Sequence, residues 1–395
     1  MKPGNVDGLP GTVPLSGERN TTRRARKRSR TPAARHESTC KAAKNPFARA
    51  ERVPIADEVA NGSVPTLNTE VTYSPAAALS GVELWDAVIV GGGPAGLSAA
   101  VYLGRSRRRV LLFDLGESMA KWEPEVENYL GFPEAITGQS LLERGRAQVR
   151  HFGVPVVEGR VERLTRQSAR FVLASGPATY RSRRVLLATG LTHLLPEIQG
   201  AQACLGRTVF FCKDCDAYRV QGKRIAIYGH RNEAARYALA MLAFSPFVTI
   251  VTDGRRPVWE LAWRAALAEY GVPVRAERIK ELAHRDGRLA AVVFDEGPSC
   301  EVQAMFTTRG DVFHTGLAEG LGAAEDEEGQ LIVDADMRTT VSGLYAAGCV
   351  TPANCQLIIA AGQGATAAQA IDRDLFAETL RRHDLPRFGG ESVSG

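Results

Sequence analysis

Short apolar runs alternate with helix-forming segments from about residue 84 onward, which predicts an α/β chain. The pattern strand, helix, strand occurs twice, and each occurrence predicts a Rossmann-like unit. The predicted strands are 85–90, 109–114, 223–228 and 247–252, and the predicted helices are 97–103 and 233–242. Trp259 and Trp263 are four residues apart, which predicts that both lie on the core-facing side of a further helix.

The turn after the first strand has the glycine spacing of a dinucleotide site. Residues 91–96 read Gly-Gly-Gly-Pro-Ala-Gly between a predicted strand and a predicted helix. Gly91 permits the tight turn, Gly93 lets the backbone approach a pyrophosphate, and Gly96 lets helix and strand pack closely. The helix N-terminus faces the anion. The next strand ends in a carboxylate suited to a ribose, so the predicted cofactor-binding residues are Gly91, Gly93, Pro94, Ala95, Gly96 and Asp114.

The turn of the second unit keeps the first glycine and a small third residue, but Arg231 occupies the middle position. A side chain there would crowd a pyrophosphate unless its guanidinium clamped the phosphates. After the next strand, Asp253 suits a ribose 2′-hydroxyl, whereas the two arginines that follow suit a 2′-phosphate. NADPH and NADH therefore both stay open, with predicted contacts from Gly229, Arg231, Asn232, Glu233, Ala234, Arg255 and Arg256.

Between the two units lies Cys212-Lys213-Asp214-Cys215-Asp216, a Cys-x-x-Cys pair followed by a carboxylate. Two thiols at this spacing can close a small disulfide ring, and a nearby acid can move the proton that thiol–disulfide exchange requires. Half of a zinc site is the alternative. Zinc needs four ligands, and the remaining five cysteines and seven histidines contain no second closely spaced pair. We therefore predict a redox dithiol and no metal.

Composition adds limits on location and partners. The chain has 395 residues, of which 44% are hydrophobic, without an apolar run of membrane-spanning length, so no membrane contact is predicted. Seven scattered cysteines favour a reducing compartment, and we expect the cytoplasm.

The basic charge is concentrated at the N-terminus. Residues 1–80 hold 13 Lys and Arg against 7 Asp and Glu, or +6, so the remaining 315 residues carry −1 of the total +5. We predict that 1–80 is a disordered, solvated extension, in preference to a nucleic-acid patch, a nuclear signal or a transit peptide. No nucleic-acid binding is expected from the folded region.

The order of these parts resembles the low-molecular-weight thioredoxin reductases and their flavoprotein disulfide reductase relatives, over roughly residues 84–380. Beyond the glycine turn and the Cys-x-x-Cys-Asp, the matching motifs are Glu127–Pro133, Ile136–Gly138, Leu187–Gly190, Gly222-Lys223, Gly343–Gly348 and Gln356.

The resemblance implies two three-layer ββα Rossmann-like domains, the second inserted into the first. An FAD-binding domain would comprise 84–195 and 305–380, an NAD(P)-binding-like domain with the cysteines 196–304, and a flexible tail 381–395. Asn128 and Gln356 are similar to the family's flavin-contacting residues. Cys215 would face the flavin, Cys212 would attack the partner disulfide, and Asp216 would exchange the proton. Further FAD contacts would come from Thr189, Gly190 and Gly348.

The activity that this resemblance implies is electron transfer from NAD(P)H through FAD to a Cys212–Cys215 disulfide. The electrons would then reach a thioredoxin-like protein or a small disulfide, with a homodimer as the expected assembly. Two alternatives remain open. One is a member of the same fold without a nicotinamide, either a dithiol oxidase that uses oxygen or a ferredoxin-linked enzyme. The other is a non-catalytic FAD-binding redox sensor.

Three positions depart from the family pattern. Cys349 stands where a carboxylate normally contacts the ribityl chain, and Cys355 stands where an arginine commonly precedes the flavin-proximal glutamine. The His-Arg-Arg triplet that contacts the NADPH 2′-phosphate is replaced by the sequence Thr252–Arg256.

Overall fold

The computed structural model of the chain describes Leu79 and residues 84–385. The predictions for the basic extension 1–80, apart from Leu79, and for residues 386–395 lie outside these residues.

The first sheet has seven strands drawn from two separate parts of the chain. It runs in the order β3-β2-β1-β6-β5-β4, and β17 adds to β6. Strands β1, β2, β3, β6 and β17 are parallel to their neighbours, whereas β4 and β5 form an antiparallel meander with β6. The strands are β1 (Trp85–Val90), β2 (Val110–Asp114), β3 (Val156–Glu158), β4 (Arg163–Gln167), β5 (Arg170–Ser175), β6 (Ala178–Leu187) and β17 (Leu344–Ala346).

The second sheet has five strands in the order β11-β10-β9-β15-β8, and the pairings within it are parallel. A three-stranded antiparallel sheet, β12-β13-β14, and a two-stranded sheet, β16-β7, complete the strands of the described residues. These strands are β7 (Leu191–His193), β8 (Val209–Phe210), β9 (Ile225–Tyr228), β10 (Val248–Val251), β11 (Val274–Arg275), β12 (Ile279–Arg285), β13 (Arg288–Phe294), β14 (Cys300–Glu301), β15 (Ala304–Thr307) and β16 (Asp311–Phe313).

Helices cover these sheets, and they form where small and apolar residues follow a glycine turn or a polar cap. The helices are α1 (Pro94–Arg105), α2 (Gly138–His151), α3 (Ala201–Cys204), α4 (Lys213–Asp216), α5 (Asn232–Met241), α6 (Leu261–Glu269), α7 (Gly316–Glu319) and α8 (Leu357–Arg381). Short 3-10 turns lie at Met119–Trp122 and Tyr218–Val220. Within the described residues, no helix combines the length and the apolar content needed to cross a membrane.

Apolar cores form on both faces of each parallel sheet. On one face of the first sheet, the buried side chains include those of α1, α2 and α8, and on the other face Phe171, Tyr180 and Leu331 are buried. In the second unit, α5 contributes to one core and the β12–β14 meander to the other. The chain therefore has the predicted α/β fold of two Rossmann-like units, the second inserted into the first.

The prediction for the tryptophans was wrong in one respect. Helix α6 begins at Leu261, so Trp259 precedes it, although both tryptophans are half-buried against the core of the second unit. The helix begins at Leu261 because the backbone of Glu260, its N-cap residue, is extended, with φ −60° and ψ 155°.

Candidate active site

The Cys-x-x-Cys pair lies at the start of the short helix α4, just after strand β8. Cys212 is the N-cap residue, and its Sγ accepts a hydrogen bond of 3.1 Å from the backbone N–H of Cys215. The two cysteines form a disulfide with Cα atoms 5.3 Å apart. One helical turn therefore places both sulfurs within bonding distance, as the spacing predicted.

A glutamine of the first unit contacts this disulfide. The side-chain amide of Gln356 donates to Cys212 Sγ at 3.3 Å and to Cys215 Sγ at 3.5 Å. Gln356 Oε1 accepts from Asn128 Nδ2 at 2.9 Å, and the same Asn128 nitrogen lies 3.4 Å from the carbonyl oxygen of Asp214. The structure thus brings together three predicted site elements that are far apart in the sequence.

Asp216, the acid next to Cys215, is buried and its ionisation is strongly perturbed. Burial, followed by the nearby Glu123 carboxylate, raises the pKa of Asp216 to about 7, although the charge and the hydrogen bond of Arg219 act in the opposite direction. Arg219 donates to Asp216 Oδ1 at 3.0 Å and also lies 3.2 Å from Glu125. Burial likewise raises the pKa of Glu123. A carboxyl group with such a pKa can both donate and accept a proton near neutral pH.

Sequence reasoning missed Glu123, Arg219 and the aromatic residues next to the cysteines. The Tyr237 hydroxyl donates to the carbonyl of Phe211 at 3.4 Å, and Phe211 stacks on His193 with ring centroids 4.5 Å apart. Burial, with the charges of Asp216 and Asp214, raises the pKa of Tyr237, so its hydroxyl stays protonated as a donor. Only the position of Arg219, three residues after Asp216 on a helical segment, could have suggested a partner.

The first glycine turn has the geometry of a phosphate-binding turn. Gly91 has φ +117°, and a Cβ atom there would lie 2.1 Å from the carbonyl oxygen of Ala188. A Cβ atom on Gly96 would lie 1.8 Å from the Gly91 carbonyl oxygen. Helix α1 begins with Pro94 after the N-cap Gly93, and within the described residues no side chain caps it. Its first amides are therefore open to an anion, and the residues fit a dinucleotide such as FAD.

Asp114 lies beside this turn at the end of β2, but its oxygens already have protein partners. Oδ2 accepts from Arg146 Nε at 2.7 Å, and Oδ1 accepts from the Gly116 backbone N–H at 2.8 Å. The side chains of Asp114 and Arg146 are only 2% and 6% exposed, so this is a buried ion pair. A ribose hydroxyl would share the remaining lone pairs of the carboxylate.

Thr189 and Gly190 lie where the chain leaves the first unit. The Thr189 hydroxyl donates to the His314 carbonyl at 2.7 Å, and the His314 backbone N–H donates to the Gly190 carbonyl at 3.0 Å. The two connections between the units are thus hydrogen-bonded to each other. Gly348, at the end of β17, faces α1, and a Cβ atom there would lie 3.1 Å from that of Ala95.

The second glycine turn is also tight. Gly229 has φ +154°, and a Cβ atom there would lie only 2.2 Å from Thr308 Oγ1. Arg231 is the N-cap residue of α5 and is exposed. Asn232 is engaged with Glu260 in both directions, at 2.7 and 2.9 Å, which anchors the neighbouring loop. Glu233 is exposed, whereas Ala234 is fully buried as the small third residue of the turn.

Positive charge gathers around this second turn. Burial, together with the positive charges of Arg255 and Arg231, lowers the pKa of His230, so these cations lie close to one another. Arg255 and Arg256 are exposed. The Asp253 carboxylate, in contrast, accepts from the Tyr228 hydroxyl at 3.1 Å and from the Ile279 backbone N–H at 2.9 Å. The exposed arginines beside this turn can therefore contact an anionic group.

The two cysteines that depart from the family pattern are bonded to each other. Cys349 and Cys355 form a second disulfide, with Cα atoms 5.0 Å apart, in the segment between β17 and α8. The sequence identified both residues as unusual, but a spacing of six within a loop gave no signal that they pair. Cys204 and Cys300 are free thiols.

Two nucleotide-type turns, a docked Cys-x-x-Cys disulfide and a buried acid define a pyridine nucleotide-linked disulfide oxidoreductase. Comparison with known families agrees, because the model of the pyridine nucleotide-disulphide oxidoreductase family matches residues 85–369. The chain belongs to this family.

Individual relatives narrow the class. The chain is 29% identical over 317 residues to a thioredoxin reductase of Bacillus subtilis (strain 168), covering 77% of this chain and 99% of that one. It is 30% identical over 296 residues to a thioredoxin reductase of Treponema pallidum (strain Nichols), covering 72% and 95%.

Solved structures give the same result. The crystal structure of HlmI is 30% identical with a TM-score of 0.72, covering 76% of this chain and 95% of HlmI. Thioredoxin reductase from Streptococcus pyogenes MGAS5005 is 25% identical with a TM-score of 0.71, covering 74% and 99%. The predicted family and enzyme class are confirmed, and this is an FAD-dependent oxidoreductase of the thioredoxin reductase type.

Proposed function

We propose that this enzyme passes electrons from a nicotinamide nucleotide, through FAD, to the Cys212–Cys215 disulfide and on to a disulfide partner. The partner would be a thioredoxin-like protein or a small-molecule disulfide. The observation that carries the proposal is the contact of Gln356 with both sulfurs of a disulfide whose neighbouring acid, Asp216, is buried. The disulfide belongs to the inserted unit, whereas Gln356 belongs to the first unit.

FAD would supply the exchange of two electrons between the nicotinamide and the disulfide. The chain's own residues would bind it. The first turn would hold the pyrophosphate, and the contacts at the reactive end would come from Asn128 and Gln356, whose side chains already bond to each other at 2.9 Å. The full proposed set is Gly91, Gly93, Pro94, Ala95, Gly96, Asp114, Asn128, Thr189, Gly190, Gly348 and Gln356.

The two thiols would have different roles after reduction. The hydrogen bond from the Cys215 backbone N–H to Cys212 Sγ would stabilise a Cys212 thiolate, which is the form that attacks a disulfide. Cys215 would face the flavin. Asp216 would hold the proton that the departing thiolate needs, because its carboxyl is half protonated near pH 7.

For the electron donor we favour NADPH over NADH. The cations Arg231, Arg255 and Arg256 are exposed at the second turn, and the carboxylate that follows β10, Asp253, already accepts from the Tyr228 hydroxyl and the Ile279 backbone N–H. A 2′-phosphate would be attracted to these cations, whereas a 2′-hydroxyl would have to share Asp253 with its two protein donors. Gly229, Asn232, Glu233 and Ala234 would shape the turn around the pyrophosphate.

Delivery of electrons to a partner requires the inserted unit to move, because the docked disulfide faces the first unit. We propose hinges near Leu195-Pro196 and 303–308, where Arg309 Nη1 donates to the Leu195 carbonyl at 2.8 Å. The working assembly would be a homodimer in the cytoplasm, in keeping with a thiol-based reaction that needs reducing surroundings.

The test is anaerobic mixing of the flavin-loaded protein with NADPH or with NADH while the flavin absorbance is followed. Rapid bleaching, faster with NADPH, is the expected result, and no bleaching by either nucleotide would sink the proposal. A Cys215→Ser variant should still bleach but should no longer reduce a disulfide substrate. Cys300→Ser is the matched control, because this free thiol lies outside the site.

A second candidate is oxidation of dithiols by oxygen without a nicotinamide. It is favoured by Arg231, which stands at the middle position of the second turn, where a glycine would otherwise let a pyrophosphate approach. Peroxide formation from a reduced dithiol under air, with no bleaching by NADPH, would support this candidate over the first.

A further inference from the structure

The second disulfide, Cys349–Cys355, borders the first one. It closes a ring around residues 350–354. The residue that follows the ring is Gln356, whose carboxamide contacts both sulfurs of the first disulfide, at 3.3 and 3.5 Å. The Cys349–Cys355 disulfide is therefore linked to the Cys212–Cys215 disulfide through one peptide bond and the side chain of Gln356.

The two ends of the ring differ in how firmly they are held. Near Cys349, Thr351 is fully buried, and its carbonyl accepts from Gln330 Nε2 at 2.7 Å. The backbone N–H of Gly348 donates to Gln363 Oε1 at 2.8 Å. Near the other end, Asn354 and Cys355 are both exposed to solvent. The sulfur of Cys349 is therefore on an anchored segment, and that of Cys355 is on an accessible one.

We propose that Cys349–Cys355 is a second redox-active disulfide, which undergoes thiol–disulfide exchange with an external dithiol through attack at Cys355. Exposed disulfides are the ones that exchange readily, whereas buried ones resist reduction.

The exchange balances as a transfer of two electrons. A thiolate of the external dithiol attacks Cys355 Sγ, the Cys349–Cys355 bond breaks, and Cys349 leaves as a thiolate that takes up a proton. The second thiol of the donor, as a thiolate, then attacks the donor's first sulfur in the mixed disulfide. This step releases Cys355 as a thiol and leaves the donor as a disulfide. The external dithiol is oxidised and the cysteine pair is reduced. The reverse steps oxidise the pair with an external disulfide.

The experiment measures the reduction of each cysteine in the folded, flavin-loaded protein. Oxidised protein is incubated with increasing dithiothreitol, quenched with an alkylating agent, and each cysteine peptide is quantified by mass spectrometry. Cys349 and Cys355 should become alkylated together, with or without a Cys212→Ser/Cys215→Ser background. Buried Cys204 is the internal control that should stay unmodified as long as the protein is folded.

Two single variants test which sulfur is attacked. In Cys349→Ser, the free Cys355 should react with oxidised glutathione about tenfold faster than the free Cys349 of Cys355→Ser, since only Cys355 is exposed. Equal or reversed rates would overturn the assignment of Cys355. The pair as a whole is refuted in either of two ways: if it stays oxidised at dithiol concentrations that reduce Cys212–Cys215, or if both residues are alkylated before any dithiol is added.

A parallel arm with a reduced Cys-x-x-Cys protein, thioredoxin, in place of dithiothreitol distinguishes a protein donor from a small one. Reduction by either donor supports the exchange site and identifies its source, and reduction by neither overturns it. No nucleotide enters these assays, so their failure would leave the proposed electron path standing, and the failure of that path would leave the exchange site standing.

Discussion

The ionisation of Asp216 leads to a quantitative prediction about catalysis. Its pKa of about 7, against an ordinary value of 3.8, means that burial and the nearby Glu123 carboxylate outweigh the attraction of Arg219. At about 1.4 kcal/mol for each pH unit, placing a full charge on Asp216 costs on the order of 4 kcal/mol more than on a solvated aspartate. The group therefore stays protonated up to neutral pH and can serve as the acid in disulfide reduction.

The perturbation is to change the charges around Asp216 and to follow kcat/KM for a disulfide substrate as a function of pH. With Asp216 as the acid, activity is present below its pKa of about 7 and is lost above it, so kcat/KM should fall about tenfold from pH 6 to pH 8. Arg219→Gln removes the cation that lowers the pKa of Asp216. The descending limb of its kcat/KM profile should therefore lie about one pH unit or more higher than in the wild type.

Glu123→Gln should move the limb in the other direction, because its carboxylate raises the pKa of Asp216. Asp216→Asn should lose this limb and about a hundredfold or more of the rate. The assignment of Asp216 as the acid would be refuted if kcat/KM fell at the same pH in the wild type, Arg219→Gln and Glu123→Gln. It would also be refuted if the fall persisted in Asp216→Asn.

Three further predictions follow from packing and charge. Gly96→Ala should purify with little or no FAD, measured as flavin absorbance per protein, because its Cβ atom would lie 1.8 Å from the Gly91 carbonyl oxygen; Gly362→Ala, with open space around it, is the control that should retain FAD. Arg146→Met should lower the free energy of unfolding in urea by about 3–5 kcal/mol, because it leaves the buried Asp114 carboxylate without its counter-ion. Retention of wild-type stability would show that the ion pair is dispensable. Arg255→Gln should raise the KM for NADPH about tenfold while leaving that for NADH nearly unchanged, in steady-state assays with each nucleotide; an equal change for both would exclude a contact with the 2′-phosphate.

Local patterns predicted the central strands and helices of both units. The run Trp85–Val90 is a strand over its full predicted length, and the glycines that follow it end the strand. The second predicted helix, 233–242, forms as Asn232–Met241. The strand predicted at 223 begins only at Ile225, since the Lys223 backbone N–H is taken by the Val220 carbonyl in a turn. Such shifts arise where a hydrogen bond from a neighbouring segment competes with the strand.

The parts of the candidate site that lie within one local motif were predictable from the sequence. The Cys-x-x-Cys pair closes within one helical turn, so its spacing was enough. Glu123 and Gln356 approach this pair from other parts of the chain, so no local pattern could reveal that they alter the pKa of Asp216 or contact the sulfurs. The pairing of Cys349 with Cys355 likewise depends on the loop path between β17 and α8, which the packing of the whole unit determines.

The division of the first sheet between two chain segments has a consequence for synthesis on the ribosome. The second half of β6 pairs with β17, and α8 packs on α1, yet 156 residues separate the end of β6 from the start of β17. At about 5–20 residues per second, roughly 8–30 s of translation pass before that edge can be covered. The inserted unit is contiguous and can fold within that interval. The nascent flavin domain would meanwhile expose an unpaired strand and an apolar helix face, which makes it the part of this enzyme that most needs a chaperone.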